Sequence, residues 1–335
     1  MIIPDKDQCL ERGSDIISIK REFKRVGTHD GRFHADEVMA TAILKKLYDM
    51  EVVRTRDMDI LSGLDIVYDV GDGEFDHHNI EKQRRENGTP YAACGLIWRR
   101  FGMEVIHSVC PELSPEDSVA VFQHIDLGLI QGIDALDNGV RAVINIIPTM
   151  NISAIISGFN PTWDADIKEN DQYFNEAVKL AYSVLDNVLK EQAAVMKAKA
   201  KIVEAYDKRM RQEVLLLDRP YPWASILNEV DTRKEVLFVI FPRDEEFLIQ
   251  TVRGSGGFFG NRKSLPEAWA GKREHELNEV IGIQDAVFCH PARFIAGARS
   301  FDSILKMADI AVREPVEAVR RGFLHNLRRL TLRKH

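Results

Sequence analysis

Three short runs rich in β-branched residues, each with His, Asp or Thr at or next to its end, set the terms on which this chain folds. "RVGTH" (25–29), "EVVRT" (51–55) and "DIVYDV" (65–70) read as strands. Between the first two, "EVMATAILKKLYDM" (37–50) carries Met39, Ile43 and Leu47 at helical spacing. Strand–helix–strand–strand order asks for a mostly parallel sheet flanked by helices, because parallel neighbours need a crossover. Further on, "SPEDSVAVFQHIDLGLI" opens with Ser114 placed as an N-cap, Pro115 at the first helical position and Asp117 at the third.

From Asp171 to Gln212 neither Gly nor Pro interrupts the chain, and Phe174, Ala177, Ala181, Val184, Val188, Val195, Ile202 and Tyr206 fall mostly three, four or seven apart. This reads as one long helix connecting two domains. Beyond it "EVLLLD", "EVLFVIF", "EFLIQTVR" and "DAVFCH" are strand-like, with a helix near 273–281. A length of 335 residues also favours two domains. The expected layout is an aperiodic tail (1–22), an α/β domain with a mostly parallel sheet (23–165), a helical connector (166–212), a smaller α+β domain (213–312) and a basic tail (313–335). From residue 312 onward that tail carries seven Lys/Arg against two Glu.

The net charge of −7 argues against a protein that coats nucleic acid through its overall field. It leaves room for a short anionic substrate held by local charge or bound metal. Cys9, Cys94, Cys110 and Cys289 form no CxxC pair and read as reduced thiols of a cytoplasmic protein. No stretch approaches 18 apolar residues, so no membrane association is expected.

The titratable residues concentrate in four places. "GTHDGRFHADEV" (27–38) puts His29 at a strand end, where open α/β sheets place their ligands, with His34 and Asp36 just ahead of a helix. A lone His there is more often structural, but crowded carboxylates are costly unless a cation neutralises them. Asp69 ends the apolar run "DIVYDV" ahead of a glycine turn, as a turn-forming residue or a ligand. "FDHHN" places His77 beside His78, and two adjacent histidines cannot both point one way. In "GIDALDNG", Asp134 and Asp137 lie one helical turn apart near a helix end; Asp126 and His124 upstream read as surface or supporting residues. Imidazoles and carboxylates without thiolates suit Mn²⁺ or Mg²⁺, with Zn²⁺, Fe²⁺ or Co²⁺ as alternatives. Six donors are too many for one ion that keeps open positions, and a bridged pair uses them better.

These motifs, in this order, resemble the DHH phosphoesterase superfamily, and most closely its Myg exonuclease branch. "GTHDGRFHADE", "DIVYDVG", "DHH", "IDALDNG", "NPTW" (160–163), "LPEAWAG" (265–271) and "VFCHPARFIAGARSFDSILKMA" (287–308) carry the resemblance, over about residues 24 to 310. It implies a two-domain hydrolase with metal ligands His29, His34, Asp36, Asp69, His77 and Asp134. Asp69 would be the bridging carboxylate, and Asp36, Asp69 and His78 the catalytic groups. The wider superfamily usually has an aspartate where this chain has His34. The second domain is expected to grip substrate through Arg253, Arg262, His290 and Arg293. "GSGGFFGNR" reads as a loop offering Arg262 and Phe258 or Phe259 for base stacking, or as a hairpin tip. The "GGGH" signature of many RecJ-like C-terminal domains is absent, and the basic tail is outside the family pattern.

The function expected from the resemblance is a Mn²⁺-dependent phosphodiesterase that shortens RNA from its 3′ end with two ions; a dimer is the guess for its assembly. Alternatives are a hydrolase of small phosphate compounds (short oligonucleotides, dinucleotides, nucleoside bisphosphates or pyrophosphate) and a non-catalytic metal-binding protein.

Overall fold

The computed structural model describes residues 23–78, 81–140, 149–164, 170–254 and 260–315. The expected N-terminal tail, all but the first residues of the basic tail, and Phe258 and Phe259 lie outside the described residues. The chain divides into two compact units, Met1–Ala193 and Ala194–His335.

In the first unit, strands β1 (Arg25–Thr28), β2 (Glu51–Arg54) and β3 (Ile66–Val67) form a parallel sheet in the order β2-β1-β3. The crossover from β1 to β2 is α1 (Ala35–Lys45), whose residues Ala35 to Leu44 are all buried. Apolar residues on every face therefore suit it, as they suit any helix enclosed on all sides. A single short turn, α2 (Met58–Leu61), leads into β3. Because the strands are parallel, the ends of β1 and β3 and the start of α1 share one sheet edge, where an open α/β sheet binds ligands.

Two long helical stretches complete this unit. Helix α3 (Ala93–Val109) buries Leu96, Ile97, Trp98 and Phe101 and packs against α1. Helix α4 (Pro115–Ile125) begins as its sequence predicts, with the Ser114 hydroxyl accepting the Asp117 N–H. It continues through a π-turn at Asp126–Ile130 into α5 (Gln131–Asp137). By length and composition alone this 23-residue run could cross a membrane. Its inner side, however, packs on α3 and holds Asp126 and Asp134 in ion pairs with Arg85, as a helix within a domain does. Helix α6 (Ile152–Ser157) is one short turn capped by Asn151.

The long helix predicted after residue 170 is α7 (Asn170–Asp207), and the boundary between the units falls within it. Phe174, Ala177, Ala181, Val195 and Ile202 are buried as predicted, but at the middle of the stripe Leu185 and Leu189 are buried while Val184 and Val188 are only half-buried. Both sets have helical spacing, and leucine at the centre of the stripe fills the core better than the shorter valine.

In the second unit, β4 (Val214–Leu216), β5 (Phe238–Arg243), β6 (Glu246–Thr251), β7 (Ala286–Cys289) and β8 (Ile295–Ala298) form one sheet in the order β4-β5-β6-β8-β7. Only β4–β5 is parallel. One face packs on Val195, Ala198 and Ile202 of α7 and on α8 (Trp223–Val230). The other packs on α9 (Glu274–Ile281) and α10 (Phe301–Arg313).

Candidate metal centre

The first ligand-bearing loop follows β1. His29 is buried, and its Nδ1 faces the Asp30 carbonyl oxygen at 2.9 Å, which directs Nε2 toward the carboxylates. That Nε2 lies 3.0 Å from Glu37 Oε1 and 3.3 Å from Asp69 Oδ2. Other residues hold the loop from outside. Arg54 and Asn170 both donate to the Gly31 carbonyl, and the Asn160 amide brackets the backbone N–H and C=O of Phe33. His34 is the exposed N-cap residue of α1, and its backbone N–H donates to Glu37 Oε1 at 2.8 Å.

Asp69 lies just beyond β3 with φ of 57°, a left-handed conformation that Asp tolerates better than most residues. From there to His78 the chain is a tight loop organised by Asp76. Its carboxylate accepts the N–H groups of Asp72 and His78 and holds His78 Nδ1 at 2.7 Å. The adjacent histidines do not point apart: their rings lie 4.3 Å from each other and both face Asp69, although the His77 side chain is 5% exposed and that of His78 is 61%. His77 Nε2 sits 3.0 Å from Asp69 Oδ1, 3.2 Å from Asp137 Oδ2 and 3.8 Å from Asp36 Oδ2.

The donors group into sets that share members. His29, His34, Glu37 and Asp69 form one, Asp69 with His77 and His78 a second, Asp36, His77 and Asp137 a third, and Asp36, Cys94 and Asp134 a fourth, each with its atoms within 4.8 Å of one another. Asp36, Asp69 and Glu37 are fully or almost fully buried. Burial raises the Asp36 pKa well above the ordinary carboxylate range, and the charges of Asp69, Asp137 and Asp134 add to that. For Asp69 burial also acts upward, but hydrogen bonds from His29 and His77 outweigh it and hold the acid at about 2. Burial disfavours charge on the two histidines, yet Asp69 and Glu37 lift His29 to about 10, and Asp137 and Asp69 lift His77 to about 10. The carboxylates thus draw positive charge to themselves. Two buried atoms, Glu37 Oε2 and His77 Nδ1, have no hydrogen-bond partner among the described residues. Buried acids in excess of cations, imidazoles and orphaned donor atoms fit a divalent metal.

Asp134, expected as a ligand, shares a buried donor group with Asp36 and Cys94 and also serves Arg85 and the backbone. It is fully buried; Oδ2 accepts from Arg85 Nη1 at 2.6 Å, and Oδ1 accepts from the Gly95 N–H and the Cys94 thiol. Both oxygens are committed to these donors, whereas Asp137, one turn on, faces His77. The sequence left the two aspartates equivalent in spacing, and only the helix's rotation separates them. Arg85 and Cys94 were not singled out from the sequence at all. Arg85 forks onto Asp126 at 2.8 and 2.6 Å, lies over the Tyr91 ring at 4.1 Å, and is 9% exposed. Burial and the neighbouring Asp134 charge raise the Cys94 thiol well above its ordinary pKa, so it stays protonated.

The four residues expected to grip substrate lie in the second unit. Arg253 is exposed and its backbone bridges Asn261. The Arg262 side chain is 7% exposed and is spent within the unit, on an ion pair with Asp231 and a hydrogen bond to the Val236 carbonyl. His290 is exposed at the end of β7, its Nδ1 accepting the Ala292 N–H at 3.0 Å. Arg293 adopts φ of 55° in the following turn and donates to the Leu265 carbonyl.

The chain is similar to known proteins over most of its length. A protein of Schizosaccharomyces pombe, MYG1 protein C694.04c, is 31% identical over 318 residues, covering 87% of this chain and 98% of the relative. The human MYG1 exonuclease is 31% identical over 319 residues, covering 85% and 84% respectively. MYG1 protein YER156C of Saccharomyces cerevisiae is 29% identical over 323 residues, covering 86% and 96%. Residues 25–312 match the family described as MYG1_exonuc, uncharacterised protein family UPF0160, and the chain belongs to that family.

Proposed function

We propose that this protein is a two-metal hydrolase of phosphodiester bonds, acting as a Mn²⁺-dependent exonuclease on the 3′ end of RNA. The observation that carries the reading is Asp69, whose carboxylate belongs at once to the donor set with His29 and His34 and to the set with His77. A shared carboxylate between two imidazole-bearing sets is what a bridged ion pair requires. His29, His34 and Asp69 would hold one ion, and Asp69, Asp36, His77 and Asp137 the other. Mixed nitrogen and oxygen donors, with the Cys94 thiol held protonated, favour Mn²⁺ over Zn²⁺ or Mg²⁺ and leave Co²⁺ as a working substitute. The chemistry such ions supply is Lewis acidity toward a phosphate ester and acidification of an attacking water.

The chain's own residues do the rest. Asp76 fixes His78 Nδ1 and leaves its outer nitrogen at the exposed rim, where it can hydrogen-bond a phosphate oxygen or carry a proton to the leaving oxygen. Asp30, through its carbonyl, holds the ring orientation of His29. The name of the human relative supports the exonuclease class, and the exposed rim supports a chain end as substrate.

The test is hydrolysis of end-labelled RNA, DNA, dinucleotides and pyrophosphate by metal-stripped protein given Mn²⁺, Mg²⁺ or nothing. RNA shortened from the 3′ end only with metal, and not by Asp137→Asn, is the expected result. Turnover of the small phosphates alone would replace the substrate and keep the mechanism, and no turnover with any metal would overturn the reading.

A further inference from the structure

Glu37 is wholly buried, yet its carboxylate is only half used. Oε1 accepts the His34 N–H at 2.8 Å, closing a capping box on α1, and lies 3.0 Å from His29 Nε2. Oε2 has no partner among the described residues. A glutamate present only to cap a helix needs one oxygen and keeps the other in water. Here the second oxygen is withdrawn from water, and a donor atom of Glu37 lies within 4.8 Å of those of His29, His34 and Asp69. Among these four residues, both histidines are neutral when they ligate. Asp69 is shared with the His77 side. Without Glu37 the His29 set would therefore have no carboxylate of its own to offset a dication.

We infer that Glu37 is a ligand of the metal held by His29, His34 and Asp69, and that the helix cap is its second task. This inference rests on the two-ion reading of the centre. It divides the centre into an imidazole-rich set, with two histidines and two carboxylates, and a carboxylate-rich set of Asp36, Asp69, Asp137 and His77. Glu37→Gln separates the two tasks, because glutamine keeps the oxygen that accepts from His34 N–H and loses the charge and the second carboxylate oxygen.

The experiment is calorimetric titration of metal-stripped wild type and Glu37→Gln with MnCl₂, with metal content measured after dialysis and thermal melting of both metal-free proteins. The expected result is two Mn²⁺ in wild type, with one of the two bound at least tenfold more weakly in the variant. The metal-free variant should still unfold cooperatively, its midpoint lowered by loss of the Glu37–His29 pair, and the visible spectrum of the Co²⁺-loaded variant should change. Two ions bound by Glu37→Gln at wild-type affinity would overturn the role of Glu37 alone. A wild type that takes up no divalent ion would overturn the two-ion reading and this inference with it. Should Glu37→Gln fail to fold, Glu37→Asp keeps the charge but withdraws the carboxylate by one methylene. It should weaken the same site, and wild-type affinity there would also refute the assignment.

Discussion

Asp134 and Asp137 are three residues apart on one helix, and their surroundings give them separate work. Asp134 neutralises Arg85 inside the domain, so Asp134→Ala leaves a buried guanidinium with only Asp126 as its acid. The loss expected for breaking a buried pair is about 3–5 kcal/mol, read as a lower denaturation midpoint of metal-free protein. Asp137→Asn removes a charge beside His77 at the half-buried end of the helix. It should lower Mn²⁺ content and lower the metal-free midpoint less than Asp134→Ala does; equal effects of the two substitutions on stability would contradict this division. Gly95 is the third party. A Cβ there would stand 2.0 Å from Asp134 Oδ2 and 2.8 Å from the Tyr91 ring, and Asp134 is fully buried and held by Arg85. Gly95→Ala should cost at least about 1–3 kcal/mol, as overpacking does, in a chemical melt without metal.

At the scale of the element, α3 has no cap of its own. Its N-cap residue is Ala92, which offers no side-chain oxygen, and the first amides are taken by Asp36 from α1: Ala93 N–H at 2.8 Å and Cys94 N–H at 2.7 Å. A candidate metal ligand therefore also ends a helix, and two tasks fall on one carboxylate. Asp36→Ala should lose metal and also about 1–2 kcal/mol of stability. Ser114→Ala, which removes the ordinary cap of α4, should cost about 1 kcal/mol and leave Mn²⁺ uptake intact. Paired melts with and without Mn²⁺ distinguish the two variants. The π-turn at Asp126–Ile130 has an observable consequence of its own. The extra residue shifts the helix's rotation between Asp126 and α5, so that Asp126 and Asp134 both reach Arg85 although they lie eight positions apart.

On the scale of the whole molecule, acid acts on both units and metal on the first. In the second unit, burial opposes charge on Asp231, but Arg262 and the amides of Glu235 and Val236 outweigh it and hold the pKa below the ordinary value. A depressed folded pKa stabilises above the unfolded value of about 4 and is lost as pH falls through the folded one. Stability of this unit should therefore fall steeply with acid below about pH 4. Asp231→Asn should flatten that slope while lowering stability at neutral pH, as followed by Trp223 and Trp269 fluorescence. In the first unit, divalent metal should raise the melting temperature and a chelator should reverse the gain, by about 2.7 kcal/mol at an ion concentration one hundred times Kd. A melt indifferent to Mn²⁺ would speak against any metal at the centre.

Local chemistry alone made much of this readable from the sequence. Parallel strands with a crossover helix, the Ser114 cap, the long helix after residue 170 and the crowding of His29, Asp69 and His77 at strand ends all follow from spacing and residue type, which act over a few neighbours. The sequence pointed His77 and His78 apart, whereas the loop after β3 brings both rings to Asp69. Facts that depend on rotation and on distant partners were not readable. Leu185 and Leu189, rather than Val184 and Val188, form the middle of the buried stripe of α7, and Arg262 turns inward to Asp231. Arg85 closes on Asp126 and Asp134 from 41 and 49 positions away. Nothing in the sequence singled out Glu37. Only the packing of α1 against its neighbours withdraws its second oxygen from water, and a carboxylate's role is decided by what surrounds both of its oxygens.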